Sequence, residues 1–376
     1  MEDTMKTPLL CILTAAMALG SSPVLAESGY DGGFFVAGES GGGDFALKIN
    51  GRVQTRFTFV MPDDDLGEDN EYAFSVARAR IGLKGHLWSK ALTFKIETDF
   101  GKGKASLKDF WFNYVLVDSF HLKAGRYKIP FSRQQLTSSG KQQFVDRAIT
   151  DEAFLAGRDI GFMFHNGLAK TKGQLEWALG IFNGTSVVKD ETPDRARPEL
   201  VGRIGVQSEG FGNKAYSEGD RECTAGKPGT CGVRWAIAAS AIYDFGGGVN
   251  GAGEEVDSQL EAQLDFVVKV SGFALDGGVY LDDNVGDGSG IETLGLHAQA
   301  SYAFSDASLQ PALRYARVWS PDEGGLVKQE VVLGFSAYLL GGHAVKWQTD
   351  VALLIDELAN ISTTNVMARS QVQVAF

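Results

Sequence analysis

Basic side chains recur at every fourth position in an early stretch of the chain, LKINGRVQTRFTF (residues 47–59). Lys48, Arg52 and Arg56 alternate there with apolar residues such as Ile49 and Phe57. Because side chains alternate between the two faces of a strand, these cations lie in a row on one face. Such a row attracts anions, and the planar guanidinium of arginine donates two hydrogen bonds at once to a phosphate or a carboxylate.

Two environments suit a strand that is apolar on one face and cationic on the other. In a soluble sheet, the cations would face solvent. In a membrane barrel, the apolar face would lie against lipid and the cations would line water. The rest of the chain has to distinguish these two interpretations.

A second basic row follows in RARIGLKG (residues 78–85), where Arg78, Arg80 and Lys84 share a face. The next segment, FKIETDF (residues 94–100), carries Glu97 and Asp99 on its polar face. Two interpretations of these arginines therefore stay open. They line a path for anions, or they pair with acidic residues of neighbouring strands and stabilise the sheet.

Alternation with a period of two continues to the C-terminus, in runs near residues 109–117, 259–268, 345–353 and 366–376. The runs match the ~9–11 residues of a tilted strand that crosses a bilayer, rather than the ~5–6 of a usual globular strand. A charge on the lipid face costs ~2–4 kcal/mol at mid-depth, which accounts for such strict alternation. The sequence therefore predicts an all-β fold, an antiparallel transmembrane β-barrel.

The connections support the barrel independently, because tight turns alternate with long polar loops. Counting predicts 16 strands with both chain ends on the tight-turn side. The connection 209–232 is the exception, since it is long and yet falls on that side. Either the count is wrong there, or this is an unusually long periplasmic turn. A barrel of this size leaves an aqueous lumen, so the basic rows are predicted to line a pore.

The first 26 residues predict a signal peptide, with Lys6 before an apolar stretch at 9–19 and a cut after Ala26. Residues 27–43 are then an N-terminal periplasmic segment, and residues 44–376 are a single barrel domain. No later stretch approaches the ~18 consecutive apolar residues of a transmembrane helix.

The net charge of −12 is unevenly distributed along the chain. Residues 44–160 carry 18 basic and 15 acidic residues, a net of +3, whereas residues 161–376 carry 16 and 27, a net of −11. We find no basic footprint of the kind that binds nucleic acid. Cys223 and Cys231 are the two cysteines beyond the signal peptide. In an oxidising compartment they are candidates for a disulfide, and without a nearby histidine they are a weak signal for zinc.

Three stretches carry a family resemblance: AGRYKIPFSRQQLTSS (124–139) with QFVDRA and GRDIGFMF after it, RARIGLKG with FKIETDF, and GIFNG (180–184). Together they resemble the phosphate-selective porin O/P family of Gram-negative outer membranes. The resemblance implies a homotrimeric channel whose third external loop, about Phe131 to Arg158, folds inward and narrows the lumen. It also implies that Phe376, a C-terminal aromatic residue, is read by the barrel-assembly machinery.

The same resemblance assigns roles to basic residues. The positions that correspond to the family's cationic pore lining are Lys48, Arg52, Arg56, Arg78, Arg80 and Lys84. The basic residues available in the constriction loop are Arg133, Lys141, Arg147 and Arg158. For Arg147 and Arg158, pairing with the adjacent Asp146 and Asp159 is the alternative to contact with a solute.

The charge of the later strands differs from what a phosphate-selective channel would need. The later strands present acidic residues to the same predicted lumen: Asp257, Glu261, Asp265, Asp276 and Asp282. This wall would repel phosphate, so a weakly anion-selective or nearly nonselective pore is the alternative. The first external loop, residues 63–71, is also acidic, and either binds cations that bridge lipopolysaccharide or is simply solvated.

The sequence thus predicts an outer-membrane porin, a passive channel for small hydrophilic solutes with a preference for anions such as phosphate. The alternative is a non-conducting barrel that anchors the membrane or binds a partner through its loops. The dispersed histidines and the lack of an HExxH motif argue against an enzyme. No cofactor and no metal are implied.

Overall fold

The computed structural model describes residues 25–40, 42–63, 67–154, 156–171, 173–184, 198–224, 231–246, 258–285, 290–304, 308–321, 324–358 and 361–376. Eighteen strands form one sheet. They are β1 Leu25–Tyr30, β2 Phe34–Ser40, β3 Gly43–Met61, β4 Glu71–Leu87, β5 Ser89–Asp99, β6 Ser106–Val117, β7 Phe120–Lys128, β8 Arg158–His165, β9 Leu175–Phe182, β10 Glu199–Gln207, β11 Arg234–Asp244, β12 Gln259–Val270, β13 Phe273–Asn284, β14 Gly290–Tyr302, β15 Leu309–Ser320, β16 Leu326–Leu340, β17 Val345–Leu358 and β18 Ile361–Ala375.

Helices are few and short. The α-helices are α1 Arg133–Leu136, α2 Ile149–Ala153 and α3 Arg221–Thr224, and the 3₁₀ helices are Gly101–Gly103, Leu168–Lys170 and Gly212–Tyr216. Among the described residues, no helix is long and apolar enough to cross a membrane.

Strands β3 to β18 close into a barrel of 16 antiparallel strands. Each pairs with the next along the chain, and β18 closes the barrel by pairing with β3 from Arg52 to Met61. The predicted fold class and strand number are confirmed. The alternation is the cause, since the apolar face of each strand lies outside. Phe112 is 47% exposed and Leu313 is 54% exposed, whereas Asp109 and Gln348 on the inner face are 5% and 1% exposed.

A β-bulge at Ala77 interrupts the alternation in β4. Gln54 of β3 pairs with Arg78, but its neighbour Thr55 pairs with Val76, so Ala77 has no partner in the register. The extra residue shifts the phase of the strand above it. As a result Phe74 points outward with its side chain 81% exposed, while Arg78 keeps the inward direction that the sequence predicts.

The two ends of the barrel differ in their connections. One end, here called the turn end, carries the tight turns at Trp88, at Asp118–Ser119, at Ser271–Gly272 and at Gly341–Ala344, together with the C-terminus. The connection 208–233 between β10 and β11 also lies at the turn end. The strand count was therefore correct there, and this connection is an unusually long turn.

An N-terminal hairpin extends the wall at the turn end. β3 has 19 residues, and β2 pairs with its first part, Gly43–Ile49, where β18 no longer reaches. Phe376 lies where β2, β3 and β18 meet, and the centre of its ring is 6.3 Å from that of Phe34. Gly51 leaves room for that ring, because a Cβ at this position would lie 2.5 Å from it. Residues 1–24 lie outside the described residues, so the signal peptide stays a prediction.

Two segments fold inward and fill much of the lumen. The first is the loop 129–157 between β7 and β8, which confirms the predicted inward-folded constriction loop. The second is the connection 208–233. Apolar clusters lie where these segments meet the wall: Phe131 and Phe154 pack with Tyr280, and Phe211 and Tyr216 pack with Val267. The core of the protein therefore lies inside the barrel.

Candidate pore and constriction

The loop 129–157 rests against one side of the lumen, the wall formed by β15, β16 and β17. Lys346 donates to the carbonyl oxygen of Gln142 at 2.6 Å, and Ser336 donates to that of Gln143 at 2.7 Å. Val145 completes this row by donating its N–H to Asp350 at 2.9 Å. The loop is thereby held along its length, and the free space lies on the opposite side of the lumen.

Short-range contacts fix the first turn of the loop. Ser132 caps α1 by accepting the N–H of Gln135 at 3.0 Å. At the other end of α1, Lys128 Nζ donates to the carbonyl oxygens of Leu136 at 3.2 Å and of Thr137 at 3.0 Å. Arg147 also donates to the carbonyl oxygen of Thr137, at 3.1 Å. Two cations therefore satisfy the terminal carbonyls that a helix leaves without partners.

Two cavities remain beside the loop. The wall cavity, of about 320 Å³, lies between the loop and strands β4 to β8. The turn-end cavity, of about 570 Å³, lies between the loop, the connection 208–233 and the turn end of β3, β4 and β18. Arg80, Glu97 and Ser138 line both cavities. The two cavities therefore meet at these residues, which we call the junction.

The junction places a charged pair on the wall opposite a hydroxyl on the loop. Arg80 Nε lies 2.8 Å from Asp99 Oδ2, and Arg80 also reaches Glu97 Oε1 at 3.3 Å. Ser138 lies on the facing loop. Arg80 therefore pairs with acidic neighbours and also lines the open space, and its role in a path for anions stays a prediction.

The structure separates the six predicted wall cations. Arg52, Arg80 and Lys84 line the turn-end cavity, and Arg78 lines the wall cavity. The other two line neither. Lys48 pairs with Asp31 in the turn of the N-terminal hairpin, and Arg56 lies 2.6 Å from Asp146 of the loop.

Several cations on the turn-end cavity have no acidic partner among the described residues, and Lys214 and Lys269 are two of them. Arg52 donates to the hydroxyl oxygens of Ser138 at 3.3 Å and Ser139 at 2.8 Å. Within the described part of the chain, no carboxylate lies in ion-pair range of Arg52, Lys84 or Lys141. Their charges are available to a solute.

Asp146 has the opposite environment, since three arginines surround its carboxylate. Arg56 lies at 2.6 Å, Arg78 at 3.1 Å and Arg369 at 3.7 Å. Burial by itself would raise the pKa of Asp146, but the charges of Arg56 and Arg78 outweigh burial and hold this pKa below its ordinary value. Asp146 is therefore a fixed negative charge that partly compensates the basic wall.

The four predicted constriction-loop cations have different positions. Lys141 lines the turn-end cavity. Arg147 lines the wall cavity and also donates to the carbonyl oxygen of Thr137 at the end of α1. Arg133 belongs to the loop but lines neither cavity, and its side chain lies 2.9 Å from Asp265. Arg158 is the first residue of β8 and pairs with Asp109 at 2.8 Å.

Arg147 and Arg158 do not pair with the acidic residues adjacent to them in the chain, although the alternative to solute contact predicts this pairing. Each has a different acidic partner in the structure. Arg147 reaches Asp151 at 3.4 Å. Asp159, next to Arg158 in the chain, accepts the N–H of Gly184 at 2.6 Å.

Sequence reasoning missed several basic residues that line the cavities. On the wall cavity they are Lys95, Lys123 and Lys128, and on the turn-end cavity they are Lys214, Arg221, Arg234 and Lys269. Lys123 lies 4.2 Å from the Trp111 ring and 4.3 Å from the Tyr127 ring. In FHLKAGRYK (120–128) the cations occupy both phases of the strand, so alternation indicates no single basic face there.

The predicted acidic residues of the later strands, where the structure describes them, line neither cavity. Asp265 is paired with Arg133 and Arg203 beneath the loop, and Asp276 is held by Gln299 at 3.2 Å. Glu261 and Asp282 are also absent from both linings. Asp257 lies outside the described residues. The loop thus covers Asp265 through Arg133, whereas Glu261 and Asp282 are only partly buried.

Cys223 and Cys231 form a disulfide in the connection 208–233. Among the described residues, no group of three or more His, Cys, Asp or Glu side chains is arranged to hold a metal ion.

Residues 47–226 match the family model described as phosphate-selective porin O and P. This match covers just under half of the chain and confirms the predicted family resemblance. An uncharacterized protein of Aquifex aeolicus (strain VF5) is 26% identical over 383 residues, which cover 88% of this chain and 87% of that protein.

Solved structures share the fold at low sequence identity. The outer membrane channel DcaP of Acinetobacter baumannii has a TM-score of 0.62 at 13% identity, over 90% of this chain and 99% of that one. The anion-selective porin from Comamonas acidovorans has a TM-score of 0.58 at 14% identity, over 88% and 100%. OmpT of Vibrio cholerae in a trimer form has a TM-score of 0.55 at 9% identity, over 88% and 99%. This protein is a porin of the Gram-negative outer membrane, a channel rather than an enzyme.

Proposed function

We propose that this porin admits small hydrophilic solutes passively and prefers anions, phosphate and other oxyanions among them. The observation that carries the proposal is a set of cations on the turn-end cavity that have no carboxylate partner in the described part of the chain, which includes Arg52, Lys84 and Lys141. A cation that is not neutralised by a neighbour attracts a mobile anion, whereas a paired cation contributes a smaller field.

The balance of charge around the open space supports the same preference. The turn-end cavity is lined by eight basic and four acidic residues, and the wall cavity by seven basic and two acidic residues. Low-dielectric walls strengthen such a field, and several adjacent sites let an ion enter one and leave from the next. The arginine and lysine residues of the two cavities would pass an anion through the junction in this way.

Assembly and partners extend the proposal. The solved structure of Vibrio OmpT in a trimer form, together with the family match, supports a homotrimer. Cleavage after Ala26 would deliver the chain to the periplasm, where residues 27–43 would lie at the turn end. Phe376 would be read by the barrel-assembly machinery. The outer surface of the barrel would contact lipid and lipopolysaccharide.

The zero-current potential of the purified protein in a planar bilayer under a KCl gradient tests the proposal. We expect a sign that indicates chloride preference. The triple variant Arg52→Gln, Lys84→Gln, Lys141→Gln should move the potential toward that of a nonselective pore. Lys104→Gln is the matched control, since Lys104 is exposed and lines neither cavity. A potassium preference of the wild-type protein would contradict the proposal. Phosphate titration of the chloride current then tests oxyanion binding.

A non-conducting structural barrel is the second candidate, and one observation favours it. The two inward segments contact each other inside the lumen, as Gln143 N–H donates to Glu218 Oε2 at 2.8 Å. A plug of this kind would leave no open path. Folded protein that inserts into the bilayer without any conductance would favour this candidate over the porin.

A further inference from the structure

The connection 208–233 is long where the other turns are short, and it occupies the lumen. Of its described residues, those from Ala215 to Asp220 are all buried. A turn that only joined β10 to β11 would not enter the barrel. We propose that this connection is a second constriction element, which narrows the path of small anions at the turn end and presents Lys214 to them. The inference rests on the proposed anion-preferring function.

Three contacts with the wall hold the connection inside the lumen. Tyr216 donates its phenol hydrogen to Glu176 of β9 at 2.8 Å. Lys269 of β12 donates to the carbonyl oxygens of Lys214 at 2.8 Å and Ser217 at 2.5 Å. The contacts are made from different strands, so the position of the connection is fixed rather than incidental.

Asp220 adds a fourth contact nearer the turn end. One carboxylate oxygen lies 2.5 Å from Arg234 of β11, and the other accepts the N–H of Gly272 at 2.9 Å. The Cys223–Cys231 disulfide follows directly, and it ties the chain after Asp220 to the residues that lead back to Arg234. The connection therefore leaves the wall and returns to it through covalent and ionic ties.

The connection and the loop 129–157 also bind each other. Glu218 donates its N–H to the carbonyl oxygen of Lys141 at 3.1 Å and accepts the N–H of Gln143 at 2.8 Å. The guanidinium of Arg133 lies 4.8 Å from the centre of the Tyr216 ring. The two inward segments thus contact each other inside the lumen, and the turn-end cavity lies beside them.

Lys214 differs from the residues around it. Its side chain is exposed, whereas the next six residues are buried, and it lines the turn-end cavity. Arg52 and Lys84 line the same cavity from β3 and β4. An anion in this cavity would therefore have cations on two sides, from the barrel wall and from the connection.

Single-channel recording of Lys214→Gln tests the inference. We expect the anion permeability to fall by about five-fold, the Boltzmann factor for one unit charge ~4 Å from an ion in water, and the anion-to-cation permeability ratio to fall with it. Lys90→Gln is the control, because Lys90 is exposed at the same end of the barrel and lines neither cavity. A second variant replaces residues 209–232 with Asn-Gly, and should pass larger anions with a higher conductance.

The outcomes separate the inference from the proposed function. If the wild-type protein prefers anions but Lys214→Gln behaves like Lys90→Gln, the inference is wrong and the proposed function stands. If the wild-type protein has no anion preference, the proposed function fails, and the shortened variant still tests whether the connection limits solute size. An unchanged conductance and size limit in that variant would overturn the inference. If the shortened variant does not assemble, Lys214→Gln decides alone.

Discussion

Arg133 Nε lies 2.9 Å from Asp265 Oδ1, and the two residues are 5% and 2% exposed. Arg133 belongs to the constriction loop and Asp265 to β12, so this ion pair joins the loop to the wall. Asp265 also accepts from Arg203 at 2.8 Å. Arg203 in turn lies 3.1 Å from Glu176, which accepts the hydroxyl of Tyr216 in the connection 208–233. A single buried network therefore fixes both inward segments.

Replacing Arg133 with methionine should loosen the loop while the barrel persists. Removing one partner of a buried ion pair costs ~3–5 kcal/mol, but the 16-stranded wall does not depend on this pair. We expect larger current fluctuations in single-channel records and a normal shift in gel mobility on heating. Arg133→Lys, which retains the charge, should be closer to the wild type. Steady currents in Arg133→Met would show that the pair does not hold the loop.

Replacing Arg80 with glutamine should reduce anion preference more than Arg52→Gln does. Arg80 neutralises Glu97 and Asp99 at the junction, whereas Arg52 contacts only serine hydroxyls among the described residues. Loss of Arg80 removes a positive charge that lines both cavities and leaves Asp99 without its cationic partner, while Glu97 keeps Lys95 at 2.9 Å. The measurement is the zero-current potential of each variant under the same KCl gradient. Equal shifts in the two variants would mean that pairing does not affect the field in the pore.

The barrel itself was predictable from the sequence, because the membrane enforces the pattern that defines it. A period of two fixes which side of each strand faces lipid, and the alternation of tight turns with long polar loops gives the strand count. Arg52, Arg78, Arg80 and Lys84 were placed correctly on the inner face for this reason.

The site was less predictable because inward segments decide which inner-face residues meet open space. Alternation placed Asp265 in the lumen, but it could not indicate that Arg133 of the loop covers it. It also could not pair Asp146 with Arg56 and Arg78, which are distant in sequence. Such contacts depend on where the loop rests, and that is set by many weak hydrogen bonds to the wall. Lys214 was missed because an irregular connection carries no periodic signal.

Replacing Asp146 with asparagine should increase anion preference, because Arg56, Arg78 and Arg369 would lose a shared counter-charge. Since these arginines hold the pKa of Asp146 below its ordinary value, the carboxylate stays ionised throughout the range from pH 8 to pH 5. Its stabilising pairing is present above the ordinary carboxyl pKa and is lost only when the pH falls through the lower folded value. Zero-current potentials of Asp146→Asn and of the wild type should therefore differ by a constant amount over this range. Convergence of the two near pH 5 would contradict the low pKa.

Replacing both cysteines of the connection with serine should affect this segment alone. For a closed loop of this length the disulfide contributes about 2–3 kcal/mol on a chain-entropy basis. We expect faster amide hydrogen exchange at residues 211–223, with unchanged exchange in the strands of the barrel. Addition of a thiol reductant to the wild type should reproduce the change. Identical exchange in oxidised and reduced protein would show that the contacts with Glu176 and Lys269 hold the connection without the disulfide.

Glu218 provides a pH test of the contact between the two inward segments. Burial raises its pKa above the ordinary value, although the N–H of Gln143 opposes this shift by donating to the carboxylate. An acid whose folded pKa is raised loses stability as the pH rises from its unfolded pKa of ~4.3 through the folded value, because the folded state must then hold a buried charge. Glutamine keeps an acceptor for Gln143 and has no charge to bury. The thermal midpoint of the wild type, measured relative to Glu218→Gln, should therefore fall between pH 4 and pH 8, as followed by the loss of heat-resistant gel mobility. A difference between the two proteins that stays constant, or that grows in favour of the wild type as the pH rises, would show that Glu218 is already ionised without cost where the segments meet.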